Sequence, residues 1–218
     1  MKNYPLELDK LHDFSHSMPY GGIPLELTHL HNKLELLREK YHFPAITNDI
    51  GCFIKFIVEL KEPQVVFEMG SGYGHSAFWF LQASQALQKI YLTEKREDVS
   101  EEFKNLPWPQ EWKEKIHYHL GDAFDLLENI SDIDMALIDG VKADYLSFLK
   151  SLEAKMIPGS IVFIDNSFWR GSFLDSEMVK RKISAQKIKE LHGYIANTPH
   201  WRSLFIPYTD GLSVLVKT

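Results

Sequence analysis

Hydrophobic spacing near the start of the chain predicts two helices. Leucines recur every three or four residues between Pro24 and Tyr41, with charged residues between them. This spacing places the leucines on one face, which is typical of an amphipathic helix. A second helical pattern follows at about Asp49–Leu60.

The period changes after these helices. The run Gln64–Glu68 is short, β-branched and aromatic, and a glycine cluster then leads into an apolar helical stretch, HSAFWFLQASQAL. The same kind of short apolar run predicts further strands at KIYLTE, IHYHL and DMALI, and at SIVFI after a turn at Ile157–Gly159. Strands that alternate with helices predict an α/β fold with a mostly parallel sheet and helices on both faces. The runs WRSLFIP and LSVLVK, separated by a turn at Tyr208–Gly211, predict a C-terminal antiparallel β-hairpin.

Composition narrows the class of protein. The 218 residues are 44% hydrophobic and 25% charged, and they contain no internal repeat or Gly/Ser linker. We therefore expect one domain over residues 1–218, with an N-terminal helical extension at 1–42 and a core at 43–218. The single Cys52 makes neither an internal disulfide nor a cysteine-rich zinc site.

Charge and hydropathy bear on location and partners. The formal net charge of -6 argues against broad coating of nucleic acid, but it allows a local basic patch. The first residues contain no apolar signal-peptide core, and no run approaches the roughly 20 apolar residues that span a bilayer. We expect a cytoplasmic protein without a membrane partner.

The first predicted strand leads into a glycine-rich loop. Gly70, Gly72 and Gly74 allow tight turning and close approach to a ligand, and the helix that follows offers free N–H donors. A turn without special purpose is the alternative. His75 stands where a dinucleotide-binding dehydrogenase needs a small residue, so that class is disfavoured. The chain also lacks the phosphate-binding loop of nucleotide triphosphatases.

Acidic residues end the next two strands. Glu94 lies 26 residues after Glu68, at a position where an acid can accept both hydroxyls of a ribose. Asp122 and Ala123 follow the third strand, where a carboxylate or an N–H can meet an adenine edge. Taken singly, each is equally consistent with an ordinary loop or turn.

The fourth and fifth strands end in a more specific pattern. Asp139 follows one apolar run, and Asp165 and Asn166 follow the next, 26 residues later. Such residues are expected side by side, and two carboxylates with an amide oxygen suit Mg²⁺, Ca²⁺ or Mn²⁺. Capping of the following helices is the alternative use of both acids. Lys142 is close enough in sequence to reach the same cavity, where it would fit a general base.

Other polar and aromatic residues carry weaker signals. His117 and His119 lie on one strand and are interpreted as packed histidines, because no acidic or cysteine partner is spaced for a metal. Trp108 and Trp112 are expected to pack in a loop. The basic run Lys180–Lys182 is expected to be a solvated helix face, with phosphate contact as the alternative.

Six runs, taken in order, resemble the successive motifs of the cation-dependent class I O-methyltransferases. They are VFEMGSGYGHSA, LTEKRED, HLGDAFDLL, DMALIDGVKADY, PGSIVFIDNSFWRG and IPYTDGLSVLVK. The family includes the catechol and caffeoyl-coenzyme A enzymes and bacterial relatives. The resemblance implies a Rossmann-like fold, S-adenosylmethionine (SAM) as cofactor, a divalent cation and a homodimer. Mg²⁺ is the expected cation, with Mn²⁺ or Ca²⁺ as alternatives.

The resemblance also implies roles for particular residues. The cofactor would be bound by Glu68, Gly70, Ser71, Gly72, Gly74, Ser76, Glu94, Asp122, Ala123 and Asp139. The cation would be bound by Asp139, Asp165 and Asn166. Lys142 would be the base beside the acceptor hydroxyl, with Asp139 as its catalytic partner. The chain has Ser71 and His75 where the family often has Thr and Tyr, and neither change removes a side chain that the chemistry needs.

The acceptor is the least specified part of this prediction. A small catechol-like hydroxylated aromatic is favoured. A hydroxylated tRNA uridine is the alternative, since the helix before Phe43 and the stretch Met178–Lys217 are similar to the bacterial tRNA 5-hydroxyuridine methyltransferases. A non-catalytic binding protein on the same scaffold is disfavoured, because the chain retains Lys142 and the expected metal ligands.

Overall fold

The computed structural model describes residues 23–208 and 210–218, and its centre is one seven-stranded sheet. Residues 1–22 of the expected extension, and Thr209 of the expected turn, lie outside these ranges. The strands are β1 Val65–Met69, β2 Lys89–Glu94, β3 Ile116–Leu120, β4 Ile133–Ile138, β5 Met156–Ile164, β6 Trp201–Ile206 and β7 Leu212–Lys217. Their order is β3-β2-β1-β4-β5-β7-β6.

The sheet is mostly parallel. Strands β1 to β5 pair in parallel, β7 pairs antiparallel with β5, and β6 closes a hairpin with β7. The α/β fold with its C-terminal antiparallel hairpin is thereby confirmed. The strand order reverses between β1 and β4, which leaves a crevice at the carboxyl ends of these strands.

Helices connect the strands. Their bounds are α1 Thr28–Tyr41, α2 Asn48–Lys61, α3 His75–Ala83, α4 Glu97–Asn105, α5 Gln110–Lys115, α6 Ala123–Leu127, α7 Tyr145–Glu153, α8 Ser176–Arg181 and α9 Ile183–Asn197. Short 3-10 turns precede α1, α7 and α8 at Leu25–Leu27, Lys142–Asp144 and Trp169–Leu174. No helix of the described ranges has the length and apolar character needed to cross a membrane.

The central strands β1 and β4 are buried on both faces, which explains their nearly continuous apolar sequences. Successive residues point to opposite faces, so Leu137 joins one core and Ile138 the other. The first core is filled by α1 to α4, and the second by α6, α7 and α9. Because residues within the strands fill these cores, the candidate functional side chains lie at the strand ends.

Several local predictions differ from the structure. The helix expected to run through Leu87 ends at Ala83, because the Ser84 hydroxyl accepts the N–H of Leu87 and stabilises a turn instead. The turn expected at Ile157–Gly159 lies inside β5 as a bulge against β4.

Two predictions about aromatic residues are corrected. Trp108 and Trp112 are buried as expected, but Trp112 lies on the short helix α5 rather than in a loop. His117 is exposed on β3, so it packs against a neighbouring strand, through the stack of its ring on Tyr91 at 5.0 Å, and not in the core. Among the described strands, β3 pairs only with β2 and lies at one edge of the sheet.

Candidate active site

The carboxyl ends of β1 to β4 surround a cavity of about 570 Å³. Of the residues expected at the site, its wall includes Gly70, Glu94, Asp122, Ala123, Asp139, Lys142 and Asn166. The others expected there are not part of this wall: Glu68, Ser71, Gly72, Gly74, Ser76 and Asp165. The strand-end pattern in the sequence thus identifies the cavity, but several motif residues lie outside its lining.

The glycine-rich loop is fastened to β2. Ser71 donates its N–H to the Thr93 carbonyl at 2.8 Å, and its hydroxyl accepts the N–H of Thr93 at 2.8 Å. A Cβ on Gly72 would lie 2.2 Å from the Phe43 ring, and one on Gly74 would lie 2.7 Å from the Phe103 ring. At these two glycines, the close neighbour in the structure is an aromatic side chain of the protein itself.

Glu68 is a buried carboxyl group at the end of β1. Ser76, in the first turn of α3, donates its hydroxyl to one carboxyl oxygen. The other oxygen, Oε2, is buried and has no hydrogen-bond partner among the described residues. Burial raises the pKa of Glu68 to about 7, and the hydrogen bond from Ser76 offsets part of this rise. A ligand that carries a positive group would complete this site.

Glu94 and Asp122 differ in how many of their carboxylate oxygens already have a hydrogen-bond partner within the protein. Glu94 Oε1 accepts the backbone N–H groups of Lys95 and Arg96 at 2.8 and 3.0 Å, which fixes the carboxylate at the cavity wall. Both oxygens of Asp122 are engaged, since one caps α6 through the Phe124 N–H and the other pairs with Lys95 at 2.7 Å. The hydrogen bond from Lys95 lowers the pKa of Asp122.

Asp139 and Asp165 lie at the ends of neighbouring strands. The Asp139 N–H donates to the Met69 carbonyl at 2.9 Å, and the Asp165 N–H donates to the Ile138 carbonyl at 3.1 Å. These bonds extend the ladder of the sheet past each strand. Neither carboxyl group caps the helical turn that follows it, so the capping alternative is wrong.

Lys142 lies between these polar groups. Its Nζ is 3.5 Å from Asp139 Oδ1 and donates to Asn166 Oδ1 at 2.7 Å. Burial raises the pKa of both Asp139 and Asp165, and the negative charge of Asp165 raises that of Asp139 further. The described residues contain no cluster of three His, Cys, Asp or Glu side chains suited to a metal, and the third oxygen group here is the amide of Asn166.

Part of the cavity wall comes from the segment between α1 and α2. Tyr41, His42, Phe43 and Pro44 all line the cavity. Phe43 packs edge-on against Tyr73 at 4.8 Å. Sequence reasoning missed this contribution, because the segment carries neither a glycine motif nor an acid, and its residues read as an ordinary connection.

A second cavity, also of about 570 Å³, adjoins the turn after β5. Its lining includes Trp169, Arg170, Lys182 and Asp210. The ring of Trp169, one of its lining residues, lies 5.8 Å from Lys142 Nζ.

Known proteins resemble this chain along most of its length. Residues 27–218 match the O-methyltransferase family. A flavonoid 3',5'-methyltransferase from Vitis vinifera is 22% identical over 210 residues, covering 89% of this chain and 88% of that protein.

Solved structures share the fold. The O-methyltransferase TomG from Streptomyces achromogenes, in complex with SAM, is 18% identical with a TM-score of 0.79, and 95% of each chain is covered. An O-methyltransferase from Bacillus cereus, in complex with SAH, has the same identity and TM-score, with 94% of this chain and 96% of that chain covered.

Proposed function

Because the chain belongs to the O-methyltransferase family, we propose that it transfers the methyl group of SAM to a hydroxyl group that a divalent cation holds beside Lys142. The observation that carries this proposal is that Asp139 and Asn166 both contact Lys142 at adjacent strand ends, while the Asn166 amide donates to Asp165 Oδ2 at 3.3 Å. Homodimer formation and cytoplasmic location stay predictions.

The cavity suits SAM. Glu94 lies in the cavity wall and offers a carboxylate to the ribose. Glu68 is not part of that wall, but its buried Oε2, which has no hydrogen-bond partner among the described residues, would suit the ammonium group of the methionine part. The solved O-methyltransferase from Streptomyces achromogenes, whose fold this chain shares, is a complex with SAM. Asp122 would act on the adenine side by holding the start of α6, since both its oxygens are already engaged.

The donor set suits a hard divalent cation. Two carboxylates and an amide provide oxygen ligands only, which is the preference of Mg²⁺, Mn²⁺ and Ca²⁺. Lys142 supplies one positive charge next to two largely buried acids. A cation would supply the charge that burial of both carboxylates demands. Asp139, Asp165 and Asn166 would hold it.

The chemistry then divides between the bound groups and the protein. SAM brings an activated methyl group, and a divalent cation lowers the pKa of a hydroxyl bound to it. The protein aligns the acceptor by fixing Asp139 and Asp165 through strand-end hydrogen bonds. Lys142 would accept the hydroxyl proton at Nζ.

We propose a small hydroxylated aromatic as the acceptor. Trp169 lines the second cavity, and its ring lies 5.8 Å from Lys142 Nζ, where it offers a stacking surface for an aromatic ring. A hydroxylated tRNA uridine stays the alternative acceptor, with the exposed Lys180 and Arg181 as the residues that would contact phosphates.

Methyl transfer from labelled SAM tests the proposal. The acceptors are a catechol panel and tRNA from cells blocked in uridine methoxylation, each with Mg²⁺ and with a chelator. We expect chelator-sensitive label in catechols, and loss of turnover in Asp165→Ala with SAM binding retained. Asp125→Ala, at an exposed acid, is the matched control. Label in tRNA alone would refute the proposal of a small aromatic acceptor. Turnover that survives chelation would refute the proposed dependence on a divalent cation.

A further inference from the structure

Gly72, the middle glycine of the glycine-rich loop, faces the Phe43 ring and is not part of the cavity wall. Its backbone is left-handed, with a φ of +52°. A Cβ at this position would lie 2.2 Å from Phe43 Cζ and 2.6 Å from Cε1, and its three nearest atoms would all belong to that ring. Alanine here would therefore have to displace the ring. The motif resemblance implies that Gly72 contacts the cofactor, whereas its neighbour in the structure is Phe43.

The Phe43 ring lies in the cavity wall and is held there from several sides. The Tyr73 ring packs edge-on against it, with 4.8 Å between the ring centres, and the His75 ring stacks on it at 6.1 Å. The Arg96 guanidinium lies 5.4 Å from the centre of the ring, and Arg96 Nε is 3.6 Å from Glu94 Oε1. Through Arg96, the ring therefore lies near the acid expected at the ribose.

Arg38 fixes the backbone on both sides of the ring. The Phe43 N–H donates to the Arg38 carbonyl at 3.0 Å, and the Arg38 guanidinium donates to the Ile46 carbonyl. The Ala45 N–H closes a further turn by donating to the Phe43 carbonyl at 2.9 Å. The segment between α1 and α2 therefore presents Phe43 to the cavity in a defined position.

We propose that Phe43 is a further cofactor-binding residue, whose ring contacts the ribose and methionine part of SAM, and that Gly72 is a positioning residue that leaves space for this ring. This inference rests on the binding of SAM in the function proposed above. It assigns the segment between α1 and α2 to the binding site. It also means that the missing side chain of Gly72 affects cofactor affinity through Phe43 and not through a contact of its own.

Replacement of either residue should weaken the binding of S-adenosylhomocysteine. Phe43→Ala should raise the Kd about tenfold, because the ligand loses its contact with an apolar ring, and Phe43→Leu, which keeps part of that contact, about threefold. Gly72→Ala should also raise the Kd about tenfold, because its Cβ displaces the ring. In Phe43→Ala there is no ring to displace, so the addition of Gly72→Ala should change the Kd no further.

Isothermal titration calorimetry with S-adenosylhomocysteine tests the proposal. The proteins are the wild type, Phe43→Ala, Phe43→Leu, Gly72→Ala and the double variant Phe43→Ala/Gly72→Ala. Phe56→Ala is the matched control, because Phe56 is an exposed phenylalanine on α2 that does not line the cavity. Circular dichroism and the binding stoichiometry of each titration verify that the variant is folded.

The double variant separates an effect through Phe43 from a direct contact. Weakening by Gly72→Ala in the wild type, but not in Phe43→Ala, supports the inference. Equal weakening in both backgrounds would show that Gly72 itself contacts the ligand, and it would overturn the inference. Phe43→Ala that binds no more weakly than Phe56→Ala, or Gly72→Ala that binds like the wild type, would also overturn it. Absence of binding in the wild type would overturn SAM as the cofactor, and the proposed function with it.

Discussion

Replacement of Glu68 by glutamine should stabilise the ligand-free protein increasingly as the pH rises. Glutamine keeps the oxygen that accepts the Ser76 hydroxyl, but it cannot ionise. The buried carboxylate of the wild type, in contrast, has to ionise beside an oxygen that lacks a partner within residues 23–208 and 210–218. The variant therefore isolates the free-energy cost of that ionisation.

The size of the effect follows from the pKa of Glu68. Burial raises this pKa from 4.5 to about 7, so the folded state binds more protons than the unfolded state between these values. The stabilising contribution is complete below the unfolded value and is lost as the pH rises through the folded value. Between about pH 5 and about pH 8 the loss is about 2.5 kcal/mol, taking about 1.4 kcal/mol per pKa unit.

Urea denaturation of wild type and Glu68→Gln, at several pH values without SAM, measures this difference. The new amide N–H groups add a cost that does not vary with pH, so the change in the difference with pH is the quantity to compare. Glu111→Gln, at an exposed glutamate, serves as the control for the substitution itself. Binding of S-adenosylhomocysteine should weaken in Glu68→Gln by about tenfold or more, because its ammonium loses an ionised partner.

A difference in unfolding free energy that stays constant between about pH 5 and about pH 8 would refute the reasoning. It would mean that Glu68 titrates alike in the folded and unfolded chain, and that another group compensates its charge. Loss of S-adenosylhomocysteine binding without the pH trend would leave Glu68 as a ligand residue but would contradict the account of its burial.

Two further predictions concern stability away from the cavity. Burial lowers the pKa of His75 to about 3, so the wild type should lose about 2 kcal/mol more than His75→Gln when the pH falls from about 7.5 to about 5. Denaturation of both proteins at the two pH values checks this, and parallel losses would contradict it. Glu153 accepts hydrogen bonds from Tyr194 and Trp201 at 2.8 and 3.2 Å, so Glu153→Ala should cost about 2 kcal/mol. Urea denaturation measures the cost, and a loss no larger than that of the exposed Glu111→Ala would refute it.

The parts of the fold that depend on apolar periodicity were predictable. The run KIYLTE spans the observed strand β2, and the alternation of strands and helices was enough for the mostly parallel sheet. The same reasoning brought Asp139 and Asp165 together, because residues that follow neighbouring parallel strands meet at one edge. In the structure, the backbone hydrogen bonds from Asp139 to Met69 and from Asp165 to Ile138 hold the two acids at this edge.

The remaining features depend on contacts between distant residues, and no local pattern carries them. The Phe43 ring fills the space above Gly72, although 29 residues separate the two in sequence. Sequence spacing placed Lys142 near the acids, but it did not indicate that the amine would take the Asn166 oxygen or meet the Tyr145 hydroxyl. Such choices depend on side-chain reach inside a packed cavity.

The two proposed ligands, SAM and a divalent cation, both carry positive charge, and this property connects stability with function. Glu68, Asp139 and Asp165 are buried or nearly so, burial raises the pKa of each, and Lys142 contributes a single positive charge among them. A protein selected for stability alone would replace such acids with apolar side chains. The ammonium and sulfonium of SAM and a divalent cation all bring positive charge to these carboxyl groups. The presence of these acids therefore favours a site whose charge is balanced only when both ligands are bound.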